Sequence, residues 1–409
     1  MTLGFYIILA AQFLSALADN ALLFAAIALL RQLNSPPEYT PILQQFFIIS
    51  YIALAPFVGA FADAFPKGKV MFVSNSIKFF GCLAMLFGVH PLLAYAVVGL
   101  GAAAYSPAKY GILTEYLPPH KLVVANGWME GLTVLAIILG AVLGGWLLNP
   151  RVVGSIAAAF SLQSSHVDRF SAPLFAIVVI TLLYIAAAVV NLYIPRVAID
   201  HKLPKKNPFY ILSDFLHCLR LLWRDPLGQV SLAVTTLFWG VGATLRLIVL
   251  VWAGVALKFG LEQATQLTAV VALGIAIGAA AAARFVKLEQ SVRVLPVGIA
   301  MGVTVSAMIF VTDWRVAMVL LGTIGAMGGF FVVPMNALLQ HRGHLLMGAG
   351  HSIAVQNFNE NLSILLLLGA YAMMIKADIS LNMIILIFGL FISAVMALLY
   401  HIHRDVKHV

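Results

Sequence analysis

The sequence contains little charge. Lys, Arg, Asp and Glu together make up 10% of the 409 residues, whereas about 25% of the positions in a soluble domain are charged. Hydrophobic residues make up 62%, and the mean hydropathy is +1.02. This composition predicts a polytopic membrane protein in which almost no chain is left for a soluble domain.

Cysteine is also scarce. Cys82 and Cys218 both fall in segments that we expect to lie in the membrane or to face the cytosol, so no disulfide framework is predicted. The sequence has no P-loop, dinucleotide fingerprint, H-E-x-x-H motif or paired-cysteine motif. We therefore expect no enzyme activity, no metal and no cofactor, and ATP-driven transport would require another chain.

The first apolar run, residues 5–30, has no Lys or Arg ahead of it. Residues 16–18, Ala-Leu-Ala, resemble a signal-peptidase site, but the apolar residues 21–30 follow, so we predict a retained membrane helix. At about 1.5 Å per residue the run can span a bilayer, which places Asp19 near the midplane. Asp19 is therefore our first functional candidate; the alternative is a polar group that only packs against neighbouring helices.

Eleven more apolar runs follow, so we predict twelve membrane-spanning helices. Basic residues concentrate in alternate loops, which is the positive-inside pattern and predicts that both termini are cytoplasmic. The net charge of +9 therefore does not indicate nucleic-acid binding. The predicted spans are 5–30, 42–64, 70–88, 92–111, 126–148, 172–194, 227–256, 265–285, 293–311, 316–338, 355–375 and 380–401. The inside loops hold Lys67, Lys69, Lys121, Arg196, Lys202, Lys205, Lys206, Arg220, Arg224, Arg284, Lys287, Arg293, Arg342, Arg404 and Lys407.

The two halves of the chain resemble copies of each other. The strings 105–109 and 332–336 both centre on a proline, and the strings 126–130 and 356–360 both end in Glu. We predict two six-helix bundles, which are all α-helical. The predicted domains are an N-terminal bundle over 1–195, a linker over 196–226 and a C-terminal bundle over 227–409.

The linker carries apolar residues at helical spacing, interrupted by basic ones. This pattern predicts an amphipathic helix on the inner leaflet between the two bundles. A plain connecting segment is an equally open alternative for the first half of the linker.

A loop motif between the second and third runs has the form G-x-x-x-D-x-x-x-K-x-K, with Gly59, Asp63, Lys67 and Lys69. It resembles the signature loop of the major facilitator superfamily, which latches the two halves together on the cytoplasmic side. The arginine usual after the acid is Ala64 here, which weakens the expected latch. The same gating role is predicted for Lys109, Glu130 and Glu360, although the two acids could equally satisfy helix N-termini.

Buried charge points to a binding site. Lys78 lies near the middle of the third run and Arg246 just past the middle of the seventh. Asp19 and Arg246 sit in the first helix of each half, so the pair could hold a zwitterionic head group, with the base on phosphate and the acid on ammonium. The alternatives are an Arg246 that snorkels to the outer interface and a Lys78 that packs peripherally.

Small residues crowd several spans, including Gly274-x-x-x-Gly278 and Gly322-x-x-Gly325. Tight helix packing explains this pattern. We also expect that Gly278 or Gly325 could line a lateral slit that is wide enough for one acyl chain.

Several strings stand out: 11–15 with 19–21, 105–113, 125–127, 237–240 with 244–246, 328–334 and 354–357. Together they resemble the bacterial lysophospholipid transporter family of the major facilitator superfamily. This resemblance implies the major facilitator fold and the movement of lysophosphatidylethanolamine and related lyso-lipids from the outer to the inner leaflet of the inner membrane. It also implies coupling to a cytosolic acyltransferase–acyl-carrier-protein synthetase. The resemblance matches the family's membrane charges to Asp19 and Arg246. Together with the buried-charge argument, the predicted substrate-binding residues are Gln12, Asp19, Asn20, Lys78, Trp239, Thr244 and Arg246.

Two other functions are also compatible with the sequence. A proton-coupled drug or siderophore exporter of the same superfamily could use Asp19 for proton coupling, and a scaffold or receptor would need no transport site. Buried charges in both halves argue against the scaffold. The sequence contains both the 106–113 string and Arg246, and this combination favours lysolipid transport. We expect a monomer that binds no nucleic acid; the stretch 149–171 matches nothing that we recognise.

Overall fold

A computed structural model describes residues 2–36, 39–149, 151–152, 171–197 and 207–403. Most of the 149–171 stretch and the predicted inside charges Lys202, Lys205, Lys206, Arg404 and Lys407 lie outside the described residues. Within these ranges the regular structure is helical, and they contain no β-strand.

Thirteen α-helices follow one another along the described ranges. Eleven of them are long and apolar enough to cross a bilayer, and α10 reaches that length together with the 3-10 turns on either side of it, over Leu288–Phe310. The twelve-span prediction is therefore confirmed. The thirteenth, α7, lies in the predicted linker. The helices are α1 (Leu3–Gln32), α2 (Tyr39–Ala64), α3 (Lys67–Leu86), α4 (Pro91–Tyr116), α5 (Leu122–Leu147), α6 (Ala172–Leu192), α7 (Pro208–Arg224), α8 (Pro226–Ala256), α9 (Leu261–Phe285), α10 (Leu295–Ser306), α11 (Trp314–Met347), α12 (Ala349–Lys376) and α13 (Leu381–His403).

Side-chain caps define where several helices begin. Asn207 accepts a hydrogen bond from Phe209 N at 3.0 Å and starts α7. Asp225 Oδ2 accepts from Gly228 N at 2.8 Å and starts α8, and Asp313 Oδ1 accepts from Arg315 N at 2.7 Å and starts α11. Each cap satisfies one backbone N–H that the first helical turn leaves without a partner.

The chain divides by its contacts into two compact units. The first unit comprises Met1–Ile112 and Leu135–Pro204, and the second comprises Leu113–Val134 and Lys205–Val409. The segment Leu113–Val134, which lies within the predicted N-terminal bundle, belongs by its contacts to the second unit. The predicted domain bounds stay a prediction.

The core of the first unit forms where α1, α3 and α6 pack together. Small side chains on α1, such as Ala18, Ala21 and Ala25, are fully buried against larger ones, including Ile177 and Tyr184 of α6. Small residues let the helix backbones approach closely, and close packing replaces the hydrophobic effect as the driving force between helices in lipid. This packing fixes α1 against α3 and α6, the three helices that carry the candidate site.

In the second unit, α9 and α11 cross with their backbones almost in contact. A methyl group added at Gly278 would overlap Ala326 O, and one added at Gly325 would overlap Val271 O. These glycines therefore pack one helix against the other. This contradicts the expectation that Gly278 or Gly325 lines a slit for an acyl chain: the stripe of small residues is a helix-packing feature.

A single residue, Gly348, joins α11 to α12 in the second unit. Gly348 follows the last residue of α11 and precedes the first residue of α12, with φ +99° and ψ 151°. This backbone conformation is accessible essentially to glycine alone. The chain thus reverses direction between α11 and α12 without a loop.

Helix α7 packs one face on α12. The Phe215 and Phe358 rings lie 5.5 Å apart, and Trp223 Nε1 donates to Asn359 Oδ1 at 3.3 Å. The other face leaves Phe209 and Leu212 exposed. The amphipathic character is present, and the location of α7 on the inner leaflet stays a prediction.

Candidate functional site

Asp19 lies on α1 and is held by two other helices of the first unit. Its Oδ2 atom accepts a hydrogen bond from Lys78 Nζ of α3 at 2.8 Å, and its Oδ1 atom accepts from Tyr184 Oη of α6 at 2.7 Å. The two donors fix the orientation of the carboxylate, one on each oxygen. The structure thus brings together Asp19 and Lys78, two of the residues that the sequence singled out separately.

Polar and aromatic side chains surround the Lys78 ammonium. Its Nζ atom also donates to Ser15 Oγ at 3.0 Å, and Ser15 Oγ in turn donates to Asn75 Oδ1 at 2.8 Å. The ammonium lies 4.8 Å from the centre of the Tyr105 ring and 5.6 Å from that of Tyr184, within the range of a cation–π interaction.

The two charges of this network differ in their access to open space. The Lys78 side chain is 1% exposed, whereas the Asp19 side chain is 24% exposed. A buried ammonium is costly unless a charge and hydrogen bonds compensate it, and Asp19 with Ser15 supplies both. The arrangement is therefore an ion pair whose acidic end alone can meet a ligand.

Sequence reasoning missed three members of this network: Ser15, Asn75 and Tyr184. Ser15 precedes Asp19 by four residues and Asn75 precedes Lys78 by three, which are spacings that share a helix face, so both could have been found. Tyr184 is a single aromatic residue in an apolar run, and nothing in its surroundings marks it.

The other two predicted binding residues on α1 are Asn20 and Gln12. Asn20 Nδ2 donates to Ala16 O of its own helix at 2.8 Å, and its Cβ atom packs where Gly140 of α5 leaves space. Gln12 is 1% exposed.

In the second unit, Arg246 lies exposed on α8. Trp239 and Gly242 lie on the same helix face, since their spacing from Arg246 is seven and four residues, and a methyl group added at Gly242 would meet no neighbour within 4 Å. Thr244 lies on the packed face, where its Oγ1 atom donates to Gly240 O at 2.9 Å. The coupling of Arg246 to Asp19 stays a prediction.

The loop motif between α2 and α3 forms a local ion pair. Lys67 Nζ lies 2.7 Å from Asp63 Oδ1, and both side chains are 3% exposed. Lys67 also donates to Ala62 O at 2.8 Å. Gly59 is buried and Lys69 is exposed. The motif thus ties the end of α2 to the start of α3, and its latch role stays a prediction.

A second polar network lies inside the second unit, on α5, α11 and α12. Asn126 and Gln340 exchange two hydrogen bonds, from Asn126 Nδ2 at 2.9 Å and from Gln340 Nε2 at 2.8 Å. Asn126 is fully buried, and Gln340 is 2% exposed. This pair joins α5 to α11 and was not anticipated as a pair.

The predicted gating acids take part in further hydrogen bonds on the same three helices. Gln356 Nε2 donates to Glu360 Oε1 at 2.7 Å and to Asn336 Oδ1 at 2.9 Å, and Asn336 Nδ2 lies 3.5 Å from Glu130 Oε1. Glu130 and Glu360 are thus linked through two amide side chains. Lys109, the third residue assigned to gating with them, lies over the Tyr110 ring at 4.3 Å.

Comparison with known proteins places the chain among transporters. The Major Facilitator Superfamily model matches residues 8–366. The lysophospholipid transporter LplT of Serratia proteamaculans (strain 568) is 47% identical over 371 residues, which cover 90% of this chain and 88% of the relative. The LplT of Yersinia pestis (strain Pestoides F) is 46% identical over 371 residues, covering 90% and 86%.

Solved structures share the fold at low sequence identity. The transporter FucP in its outward conformation superposes with a TM-score of 0.76 at 12% identity, over 98% of this chain and 99% of FucP. A bacterial homologue of the iron transporter ferroportin, in an outward-facing state, superposes with a TM-score of 0.70 at 17% identity, over 98% of this chain and all of that one. The predicted fold is confirmed: the chain is a multi-pass membrane protein that belongs to the Major Facilitator Superfamily and, within it, to the lysophospholipid transporter LplT family.

Proposed function

We propose that this protein transports lysophospholipids. The observation that carries the proposal is the 47% identity to a lysophospholipid transporter over nine-tenths of the chain. Superfamily membership alone does not distinguish a lipid from a drug or a siderophore, whereas identity at this level and coverage favours a shared substrate class.

The site geometry supports a role for Asp19 in binding the head group. Its carboxylate is oriented by Lys78 and Tyr184, yet its side chain stays 24% exposed, so an ammonium group can approach it. In this proposal Arg246, exposed on α8, meets the phosphate. The acyl chain stays in contact with lipid, since each CH₂ that is kept out of water is worth about 0.8 kcal/mol.

The direction of transport is part of the proposal. We infer that lysophosphatidylethanolamine and related lyso-lipids move from the outer to the inner leaflet of a bacterial inner membrane, in which both termini of the chain are cytoplasmic. A cytosolic acyltransferase–acyl-carrier-protein synthetase would then restore the missing acyl chain.

Uptake into spheroplasts tests this function. Labelled lysophosphatidylethanolamine should enter spheroplasts that contain the chain faster than spheroplasts that lack it, and a cationic drug should not. Competition by unlabelled lyso-lipid should be strong, whereas glycerophosphoethanolamine, which has the same head group and no tail, should compete weakly. Equal uptake with and without the chain, or export of the drug instead, would overturn the proposal.

A further inference from the structure

Lys78 has no contact with substrate in the function proposed above, yet it is the charge on which the Asp19 network is built. Its side chain is 1% exposed, and its ammonium is satisfied by Asp19 Oδ2 at 2.8 Å and Ser15 Oγ at 3.0 Å. A ligand therefore cannot reach Lys78 without taking the network apart.

We propose that Lys78 sets the charge selectivity of the site: by compensating Asp19 from the buried side, it makes the site accept single-chain zwitterions and reject single-chain cations. The proposal rests on the proposed function for the identity of the natural ligand, and it makes Lys78 a positioning and specificity-determining residue.

The two ends of the ion pair differ in their accessibility to a ligand. Asp19, 24% exposed, is the accessible negative end, and Lys78 is the hidden positive end. A carboxylate offers roughly four lone-pair positions, and Lys78 and Tyr184 use one on each oxygen. Asp19 can therefore accept a further N–H donor from a ligand while it keeps both protein donors.

The sum of the charges explains the selectivity. An unpaired Asp19 would give this network a net charge of about minus one, which attracts any alkyl cation and repels the phosphate of a lipid head group. With Lys78 behind it, the network is neutral overall. A simple cation then gains little, whereas a zwitterion can place its ammonium on Asp19 without repulsion of its phosphate.

Two single-chain probes, which share the same dodecyl tail and carry head groups of opposite charge, test this proposal. The full-length protein in nanodiscs is titrated with dodecyltrimethylammonium and with dodecyl phosphate, and each probe is measured by displacement of labelled lysophosphatidylethanolamine. In Lys78→Met the ratio of cation affinity to anion affinity should rise about tenfold or more, because the carboxylate is no longer compensated. Lys78→Arg keeps the charge and should keep the ratio of the unaltered protein.

Further variants separate charge from structure. Tyr184→Phe removes a hydrogen bond from Asp19 and no charge, so the probe ratio should stay within about twofold. Asp19→Asn should shift the ratio in the opposite direction, toward dodecyl phosphate, and serves as the test if Lys78→Met does not fold. An unchanged ratio in folded Lys78→Met, or in Asp19→Asn in its place, would overturn the proposal.

A failure of the charge-selectivity proposal can be distinguished from a failure of the proposed lipid transport. If labelled lysophosphatidylethanolamine does not bind the unaltered protein, the lipid assignment is wrong. The two alkyl probes can still be measured directly through the fluorescence of the six tryptophans, and the ratio then reports the charge rule alone.

Discussion

The two units bury polar side chains in different ways. The network around Asp19 contains full charges of both signs and reaches open space through one carboxylate. The hydrogen-bonded polar groups that join α5, α11 and α12 in the second unit are amides and two carboxyl groups, and all of them are buried. A charged network with one accessible end can receive a ligand, whereas a closed network of amides holds helices together. Four tests follow, ordered from the largest to the smallest expected loss of unfolding free energy, and they compare how the two units hold their helices and buried groups.

The largest effect is expected where a charge would be left alone. Asp19→Ala leaves the Lys78 ammonium buried without a counter-charge, and breaking a buried pair in this way costs about 3–5 kcal/mol of unfolding free energy. Lys78→Ala should cost less, because the Asp19 side chain is 24% exposed and can recruit solvent. Thermal unfolding of both variants in detergent measures the difference. Equal losses would show that the accessibility of the two charges does not matter.

A glycine at the α9–α11 crossing comes next. Gly325→Leu forces atoms into the position of Val271 O, and overpacking costs about 1–3 kcal/mol or more when backbone must move. The matched control is Gly242→Ala on α8, where the added methyl group meets nothing within 4 Å and a change within about 0.5 kcal/mol is expected. A stable Gly325→Leu protein with slowed lipid transport would revive the slit interpretation.

The amide pair of the second unit is the third test. Gln340→Leu leaves the Asn126 amide buried without its partner, which costs about 1–3 kcal/mol. The double variant Asn126→Leu with Gln340→Leu removes both polar groups and should recover much of that loss. A double-mutant cycle by thermal unfolding gives the coupling energy, and strictly additive losses would contradict a direct pair.

The smallest effect is expected at Asp225 and Arg342, where Arg342 Nε donates to Asp225 Oδ2 at 3.1 Å. Burial tends to raise the pKa of Asp225, but hydrogen bonds from Arg342 and the Gly228 amide, together with the Arg342 charge, hold it below its usual value of 3.8. Because the folded pKa is the lower one, the pair stabilises the protein at neutral pH, and this contribution disappears as the pH falls through the folded pKa, below 3.8.

Asp225→Asn should therefore cost about 1 kcal/mol or less at pH 7, because the pair is partly exposed. The cost should shrink in acid, below pH 3.8. Unfolding of both proteins at pH 7 and in acid measures this, and a loss that grows in acid would contradict the assigned sign.

The spans could be predicted from the sequence because each one needs a long apolar run, and length alone identifies it. Asp19 could be predicted because a single acid interrupts such a run. Its partner could not, because hydropathy gives neither the rotation of α3 nor the face of α6. The pairing with Lys78 and Tyr184 depends on both. For the same reason the sequence left both helix packing and a slit open for the glycines at 278 and 325: spacing shows that small residues share a face, but not what that face meets.

The single-residue connection at Gly348 has a mechanical consequence. Asn336 and Gln340 lie on α11, and Gln356 and Glu360 lie on α12, so all four belong to one helical hairpin with no slack between its arms. The hydrogen bond from Gln356 Nε2 to Asn336 Oδ1 at 2.9 Å ties the two arms to each other beyond this joint. Asn126 and Glu130 of α5 both contact the same arm, α11, so a displacement of that arm disturbs both contacts.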